Sequence, residues 1–196
     1  MIEKQAVIDF FDRCAATWDA EMIRSDRKIN IILDNARVGA GSRVLDVACG
    51  TGVLTPDYLA RDVASVTAVD ISPEMIRRAR DKLRDDRVQF LCGDVETLDV
   101  GRDFDAVVVY NAFPHFPDPE RLVAHLASLL RPGGVLTVAH GMGRAAIDGH
   151  HKGRASHVSR GLMSAQELAA IFEKYLTVTT VLSTEEMYQV AGEKRA

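Results

Sequence analysis

Cysteine is scarce in this 196-residue chain, and the three present (Cys14, Cys49 and Cys92) match no zinc-ligand spacing. An odd, unpatterned set of thiols excludes a disulfide framework and suits reduced cysteines, so a cytoplasmic location is expected. Cys49 and Cys92 end apolar runs and are expected to serve as small hydrophobes. Long hydrophobic runs are also missing. No stretch approaches the ~18 apolar residues of a membrane span. Met1–Phe11 mixes charge among its apolar residues and lacks a secretory core. An excess of positive charge is absent too. With 24 Lys and Arg against 28 Asp and Glu, the net charge is −4. Neither nucleic acid nor an anionic membrane is therefore expected as a partner. No internal repeat, linker or low-complexity segment interrupts the chain. At 47% hydrophobic residues it can fill a single globular core.

Periodic runs organise this composition. Residues 1–40 read as two helices, from Ala6, Val7, Phe10 and Phe11 and then from Ile29, Ile32, Leu33 and Ala36. Strand-like runs follow at Arg43–Val47, Val66–Val69, Val88–Leu91, Phe104–Val109 and Gly134–Ala139. Helical runs alternate with them at Gly52–Ala60, Pro73–Arg84 and Pro119–Leu130, and Asp94–Arg102 reads as a short helix or loop. Continuous apolar strands separated by helices predict a parallel sheet covered on both faces. After a polar stretch with one short helix near Ala145–His151, Ser164 and Glu167 form a capping box for a helix to Tyr175. Val178–Leu182 and Met187–Val190 then predict an antiparallel pair closing the sheet.

Within this pattern, Val44-Leu45-Asp46-Val47-Ala48-Cys49-Gly50-Thr51-Gly52 reads as a buried strand entering a glycine turn. Such a unit, followed by a helix whose free N–H groups point back at the turn, builds a nucleotide-type pocket. The dinucleotide fingerprint G-x-G-x-x-G is not completed, because Thr55 stands at its third glycine. A carboxylate at Asp46 would repel a pyrophosphate but could accept from an ammonium group. A nicotinamide-dinucleotide oxidoreductase is therefore the weaker reading.

The run resembles the first motif of the class I S-adenosylmethionine-dependent methyltransferases, with Ala48 where that family usually has glycine. Further segments follow in the family's order. Asp70 ends the second strand before Ile71-Ser72-Pro73-Glu74-Met75. A strand-end acid can take both ribose hydroxyls, and Ile71 and Met75 offer apolar surface to the adenine. Ser72 is a helix cap and Pro73 a first-turn residue. By resemblance, Asp94 of Cys92-Gly93-Asp94-Val95 accepts from the adenine amino group, with the Val95 backbone beside the ring. Tyr110-Asn111-Ala112-Phe113-Pro114-His115-Phe116 corresponds to the segment lining the transfer site. Leu130-Arg131-Pro132-Gly133-Gly134-Val135-Leu136 is similar to the family's turn into the fifth strand. Phe11-Asp12-Arg13-Cys14-Ala15-Ala16-Thr17-Trp18-Asp19 is similar to the F-D-x-x-A-x-x-Y/W-D stretch of ubiquinone/menaquinone-type methyltransferases. There the N-terminal helices close over the cofactor. Trp18 is then either the aromatic wall of the cofactor pocket or an anchor of its own helix.

The expected fold is α/β and Rossmann-like: doubly wound, with a mostly parallel seven-stranded sheet, an antiparallel C-terminal strand pair and an N-terminal helical cap. One methyltransferase domain is expected over 1–196, with a cap at 1–40, a cofactor-binding core at 41–140, a substrate-side segment at 141–163 and the last helix and strand pair at 164–196. The cofactor is expected to be S-adenosyl-L-methionine. Its methionine moiety is assigned to Asp46 and the Ala48, Cys49, Gly50 and Gly52 turn, with Asn111 and His115 facing the reaction centre.

His115, His140 and His151 are the candidate catalytic residues, as base or substrate clamp. The same three could instead ligate a divalent metal ion, since imidazoles with an open position suit zinc, or have no direct role. A basic island from His150 to Arg160 would attract an anionic substrate. The substrate is expected to be a small molecule. A non-catalytic S-adenosylmethionine-binding protein is the other alternative.

Overall fold

In a computed structural model of the protein, residues 2–151 and 157–195 are described, the side chains of 148–151 excepted. Three helices open the chain: α1 (Lys4–Cys14), α2 (Trp18–Glu21) and α3 (Asp26–Asn35). They lead into β1 (Arg43–Val47), α4 (Thr55–Ala60), β2 (Ser65–Asp70), α5 (Pro73–Lys82), β3 (Val88–Cys92) and β4 (Phe104–Tyr110). A 3-10 turn at Phe113–His115 precedes α6 (Pro119–Leu129), β5 (Leu130–His140), α7 (Arg144–His151), α8 (Ala165–Phe172), β6 (Leu176–Ser183) and β7 (Tyr188–Lys194).

The strands form one seven-stranded sheet in the order β3-β2-β1-β4-β5-β7-β6. β1 pairs in parallel with both β2 and β4, and β7 runs antiparallel to β5 and β6. The chain winds outward from β1 to β3, then crosses back to β4. A crevice opens at such a switch, beyond the carboxyl ends of β1 and β4.

Period-two alternation within apolar strands covers both faces. Leu45 and Val47 pack with Val107, Val109 and helices α6 and α8. Val44 faces the other way, into a cluster with Ile29, Leu33, Tyr58 and Ile76. Local signals fix the helix starts. Ser72 Oγ accepts from Met75 N at 3.2 Å and Asp118 Oδ1 from Arg121 N at 3.0 Å. Ser164 and Glu167 complete their capping box.

The structure corrects several boundaries. The N-terminal region has a third helix, α2. α4 starts only at Thr55, so Gly52–Leu54 belong to the turn, and no helix N-terminus abuts the glycines. α8 ends at Phe172. Of the two alternatives for 94–102, the structure has the loop, without a helix. The Arg131–Gly134 stretch lies within β5 as a bulge, its register shifting between Phe104 and Ala106. Cys92 is exposed rather than a buried hydrophobe, whereas Cys49 is buried. No helix of the described residues is long and apolar enough to cross a membrane.

Candidate active site

Beyond the carboxyl ends of β1, β2 and β4 lies a cavity whose floor is Asp46 to Gly50, Asp70 and Ile71. The turn after β1 is held in left-handed backbone, with φ of +55° at Ala48, +56° at Gly50 and +77° at Gly52. A Cβ on Gly52 would come within 2.9 Å of Leu83 Cδ1, and the φ of +77° would strain any side chain placed there. Ala48 adopts the same region with a side chain, at a cost in backbone strain that glycine would not carry.

Asp70 clasps two turns. Its Oδ2 accepts from Gly50 N at 2.8 Å and its Oδ1 from Ser72 N at 2.9 Å. The carboxyl is 8% exposed, and burial raises its pKa to about 6 against the lowering effect of those N–H donors. Each oxygen keeps a second acceptor site, so ribose hydroxyls can still be received.

Asp46 differs. It is 2% exposed, and among the described residues its Oδ2 has no hydrogen-bond partner. Burial raises its pKa to about 8, opposed by the Tyr58 hydroxyl and assisted by the Asp70 charge. A buried carboxylate oxygen without a donor is costly, and Asp46 is among the residues lining the cavity. A ligand ammonium would satisfy it. The residues present therefore fit the amino-acid end of S-adenosylmethionine.

Met75 and Val95 are buried and, with Ile71, supply apolar wall. Asp94 also lines the cavity, with Oδ1 accepting from Glu96 N at 3.0 Å, while Lys4 of α1 pairs with its Oδ2. The cap thus holds the acid assigned to the adenine amino group. An exposed lysine contributes at most about 1 kcal/mol to such a pair. Lys4→Ala is therefore expected to leave S-adenosylhomocysteine affinity unchanged or improve it a few-fold, read by calorimetry. A loss of tenfold or more would make Lys4 a ligand contact instead.

The N-terminal helices close the cavity from above. Phe11 and Trp18 line it, their rings 5.7 Å apart and edge to face. Trp18 Nε1 lies 3.7 Å from the Cβ position of Gly50, so Trp18 is wall and anchor at once. Two aspartates of the same motif, not singled out from the sequence, fasten this cap. Asp12 accepts from Ser72 Oγ and from Glu74 N at 3.2 Å. Asp19 accepts from Thr51 Oγ1 and from Lys82 Nζ at 2.7 Å. Their only sequence signal was membership of the motif, because their partners are 32 to 63 residues away.

On the acceptor side, Asn111 (φ +55°) donates its N–H to Ala139 O at 2.9 Å, and its Oδ1 accepts from Gly141 N at 3.0 Å. His115 lines the cavity with Phe116 and Pro117 and packs edge to face on Phe11 at 5.0 Å. Its Nδ1 lies 2.8 Å from Val158 O. A carbonyl only accepts, so Nδ1 carries the proton in the neutral ring and Nε2 is the acceptor nitrogen.

His140 does not join it. His140 is 2% exposed, stands outside the cavity lining and stacks edge to face on Tyr188 at 5.9 Å. It shares the strand face of Leu136 and Val138, which pack into the core. The side chain of His151 lies outside the described residues, as does most of the basic island. Among the described residues no three His, Cys, Asp or Glu side chains could hold a metal ion. The His115–His140–His151 metal reading is therefore unsupported.

Residues 44–134 match the family model of a methyltransferase domain. Fold, glycine turn and matched segment together place the chain in the class I S-adenosylmethionine-dependent methyltransferases. It is 37% identical over 139 residues to a malonyl-(acyl-carrier protein) O-methyltransferase of Acetivibrio thermocellus, covering 69% of this chain and 49% of that protein. It is 43% identical over 101 residues to a ubiquinone biosynthesis O-methyltransferase of Xanthomonas axonopodis pv. citri, covering 50% of this chain and 42% of that protein. The chain thus spans about half the length of the curated relatives it matches. In fold, it resembles the N-methyltransferase NodS of Bradyrhizobium japonicum in complex with S-adenosylhomocysteine. The TM-score is 0.74 at 19% identity, covering 96% of this chain and 98% of that one. A chain of a complex containing the Haloferax volcanii Trm112 methyltransferase activator gives a TM-score of 0.81 at 22% identity, covering 97% and 98%.

Proposed function

We propose that the chain transfers a methyl group from S-adenosyl-L-methionine to a small-molecule acceptor held beside His115. The observation that carries this reading is one cavity with the partnerless Asp46 oxygen in its wall and an orientation-fixed histidine in its lining. When bound, S-adenosylmethionine supplies an electrophilic sulfonium methyl.

The chain's own residues bind, align and exclude water. Asp46 takes the ammonium and Asp70 the ribose hydroxyls, while Ile71, Met75 and Val95 enclose the adenine and Asp94 receives its amino group once Lys4 yields. Phe11, Trp18 and Phe116 keep water from the transfer site, which favours an in-line displacement. His115 Nε2 accepts the proton of a protic acceptor, while Nδ1–H stays on Val158 O and holds the ring. Arg160, whose guanidinium donates to Pro117 O, stands at the rim as a cation for an anionic substrate.

The test is a panel of hydroxyl, amine and carboxyl acceptors incubated with S-adenosylmethionine and read by S-adenosylhomocysteine release. Turnover with at least one class is expected. His115→Ala should then lower turnover about 100-fold and leave S-adenosylhomocysteine affinity within about twofold. Wild-type turnover in that variant would remove the base assignment. Stoichiometric cofactor binding with no product from any class would favour the non-catalytic binding protein.

A further inference from the structure

Helix α5 starts at the ribose turn, and its own residues do not complete its start. Pro73 has no N–H to satisfy, and Ser72 Oγ accepts from Met75 N at 3.2 Å. That leaves the Glu74 N–H and the Ser72 hydroxyl proton. Both go to one atom of another element. Asp12 Oδ1, on α1, accepts from Ser72 Oγ and from Glu74 N at 3.2 Å. The start of α5 is thus capped from two places, one of them 60 residues earlier in the chain.

The same serine is tied to the cavity floor. Ser72 N donates to Asp70 Oδ1 at 2.9 Å, and Asp70 Oδ2 receives Gly50 N at 2.8 Å. A continuous chain of hydrogen bonds therefore runs from α1 through Ser72 and Asp70 to the glycine turn. α1 meets the acceptor side as well. Its small apolar cluster, built on Val7 and Val158, includes Phe11 and Ile71. Val158 O orients His115, and Phe11 packs on that ring at 5.0 Å. Val7 is the one buried residue of α1, and among the described residues α1 enters neither of the two large core clusters. Its seat depends instead on polar contacts, and Asp12 makes the two that reach the start of α5. Asp12 is also a like charge that disfavours the Asp70 carboxylate. What it gives the site is therefore an acceptor oxygen rather than a charge.

We propose that Asp12 is a positioning residue for the cofactor site: by completing the start of α5 from α1, it holds the Asp70–Ser72 turn and seats the helix that carries Phe11 against His115. The inference rests on Asp70 being the ribose acceptor. A cofactor bound at Asp70 then favours the docked α1, and the wall beside His115 is completed with it.

Two substitutions separate the oxygen from the charge. Asp12→Asn keeps an accepting Oδ1, and Asp12→Ala removes it. Trp18, the single tryptophan of the chain, lines the cavity from the N-terminal helices. Acrylamide quenching of its fluorescence therefore reports their docking without a label. In the ligand-free protein, Asp12→Ala should be quenched more steeply than wild type, and its Glu74 amide should exchange about tenfold faster. S-adenosylhomocysteine affinity by calorimetry should fall about tenfold in Asp12→Ala. Asp12→Asn should stay within about twofold of wild type in each measurement. Saturating S-adenosylhomocysteine should return Trp18 of the alanine variant to wild-type shielding.

Wild-type quenching and exchange in Asp12→Ala, unchanged affinity there, or an asparagine variant as impaired as the alanine one would overturn the inference. If the ligand-free differences appear but the wild type binds no S-adenosylhomocysteine, the proposed function fails and the coupling of α1 to α5 stands.

Discussion

Asp46→Asn is expected to weaken S-adenosylhomocysteine binding by about 100-fold or more without lowering the melting temperature of the ligand-free protein. The two halves of this result share one cause. The Asp46 pKa rises on folding from its ordinary 3.8 to about 8, first through burial. Between those values the folded chain binds a proton that the unfolded chain does not, so stability falls as pH rises through this window. Asparagine removes that cost and keeps the shape, so at about pH 8 the melting temperature should stay level or rise by up to about 5 °C. The same change deletes the charge that an ammonium needs. Retained affinity would place the ammonium elsewhere. A sharp fall in melting temperature would make Asp46 a structural residue.

Asp70→Ala should show the opposite pairing, losing binding and stability together. This carboxylate receives Gly50 N and Ser72 N, tying the turn after β1 to the start of α5. Each N–H left without a partner in a closed site costs about 1–3 kcal/mol. Relief of burying the carboxylate and the nearby Asp12 charge offsets part of this. A melting temperature lower by about 5 °C and an affinity more than tenfold weaker are expected. Because the Asp70 pKa is raised to about 6, its folding cost also grows as pH rises toward that value and is constant above it. Unchanged affinity would remove the ribose assignment while leaving the clasp between turns intact.

The floor of the cavity was legible in the sequence because local chemistry determines it. Strand-end acids at Asp46 and Asp70, the Gly50 and Gly52 turn and the Ser72-Pro73 helix start each follow from residue type and spacing. The parallel strands were legible for the same reason, as apolar runs buried on both faces.

What was not legible depends on contacts distant in sequence. In a strand covered on both sides, alternation does not say which face meets a ligand, and His140 fell on the core side beside Tyr188. The roles of Asp12 and Asp19 required knowing that α1 and α2 fold back on α5 and the glycine turn. The orientation of His115 is set by a carbonyl 43 residues further on. Thr55 was read correctly as breaking the dinucleotide fingerprint. The delayed start of α4 was not foreseen, because a turn of several residues after Gly50 leaves no mark in the apolar pattern.

The central claim is that this cavity holds S-adenosylmethionine through Asp46 and Asp70. Calorimetric titration of the purified chain with S-adenosylhomocysteine, and in parallel with a nicotinamide dinucleotide, tests it most directly. One equivalent of S-adenosylhomocysteine bound, abolished in Asp46→Asn, with no heat from the dinucleotide, is the predicted result. No binding of S-adenosylhomocysteine, or saturable binding of the dinucleotide in its place, would contradict it.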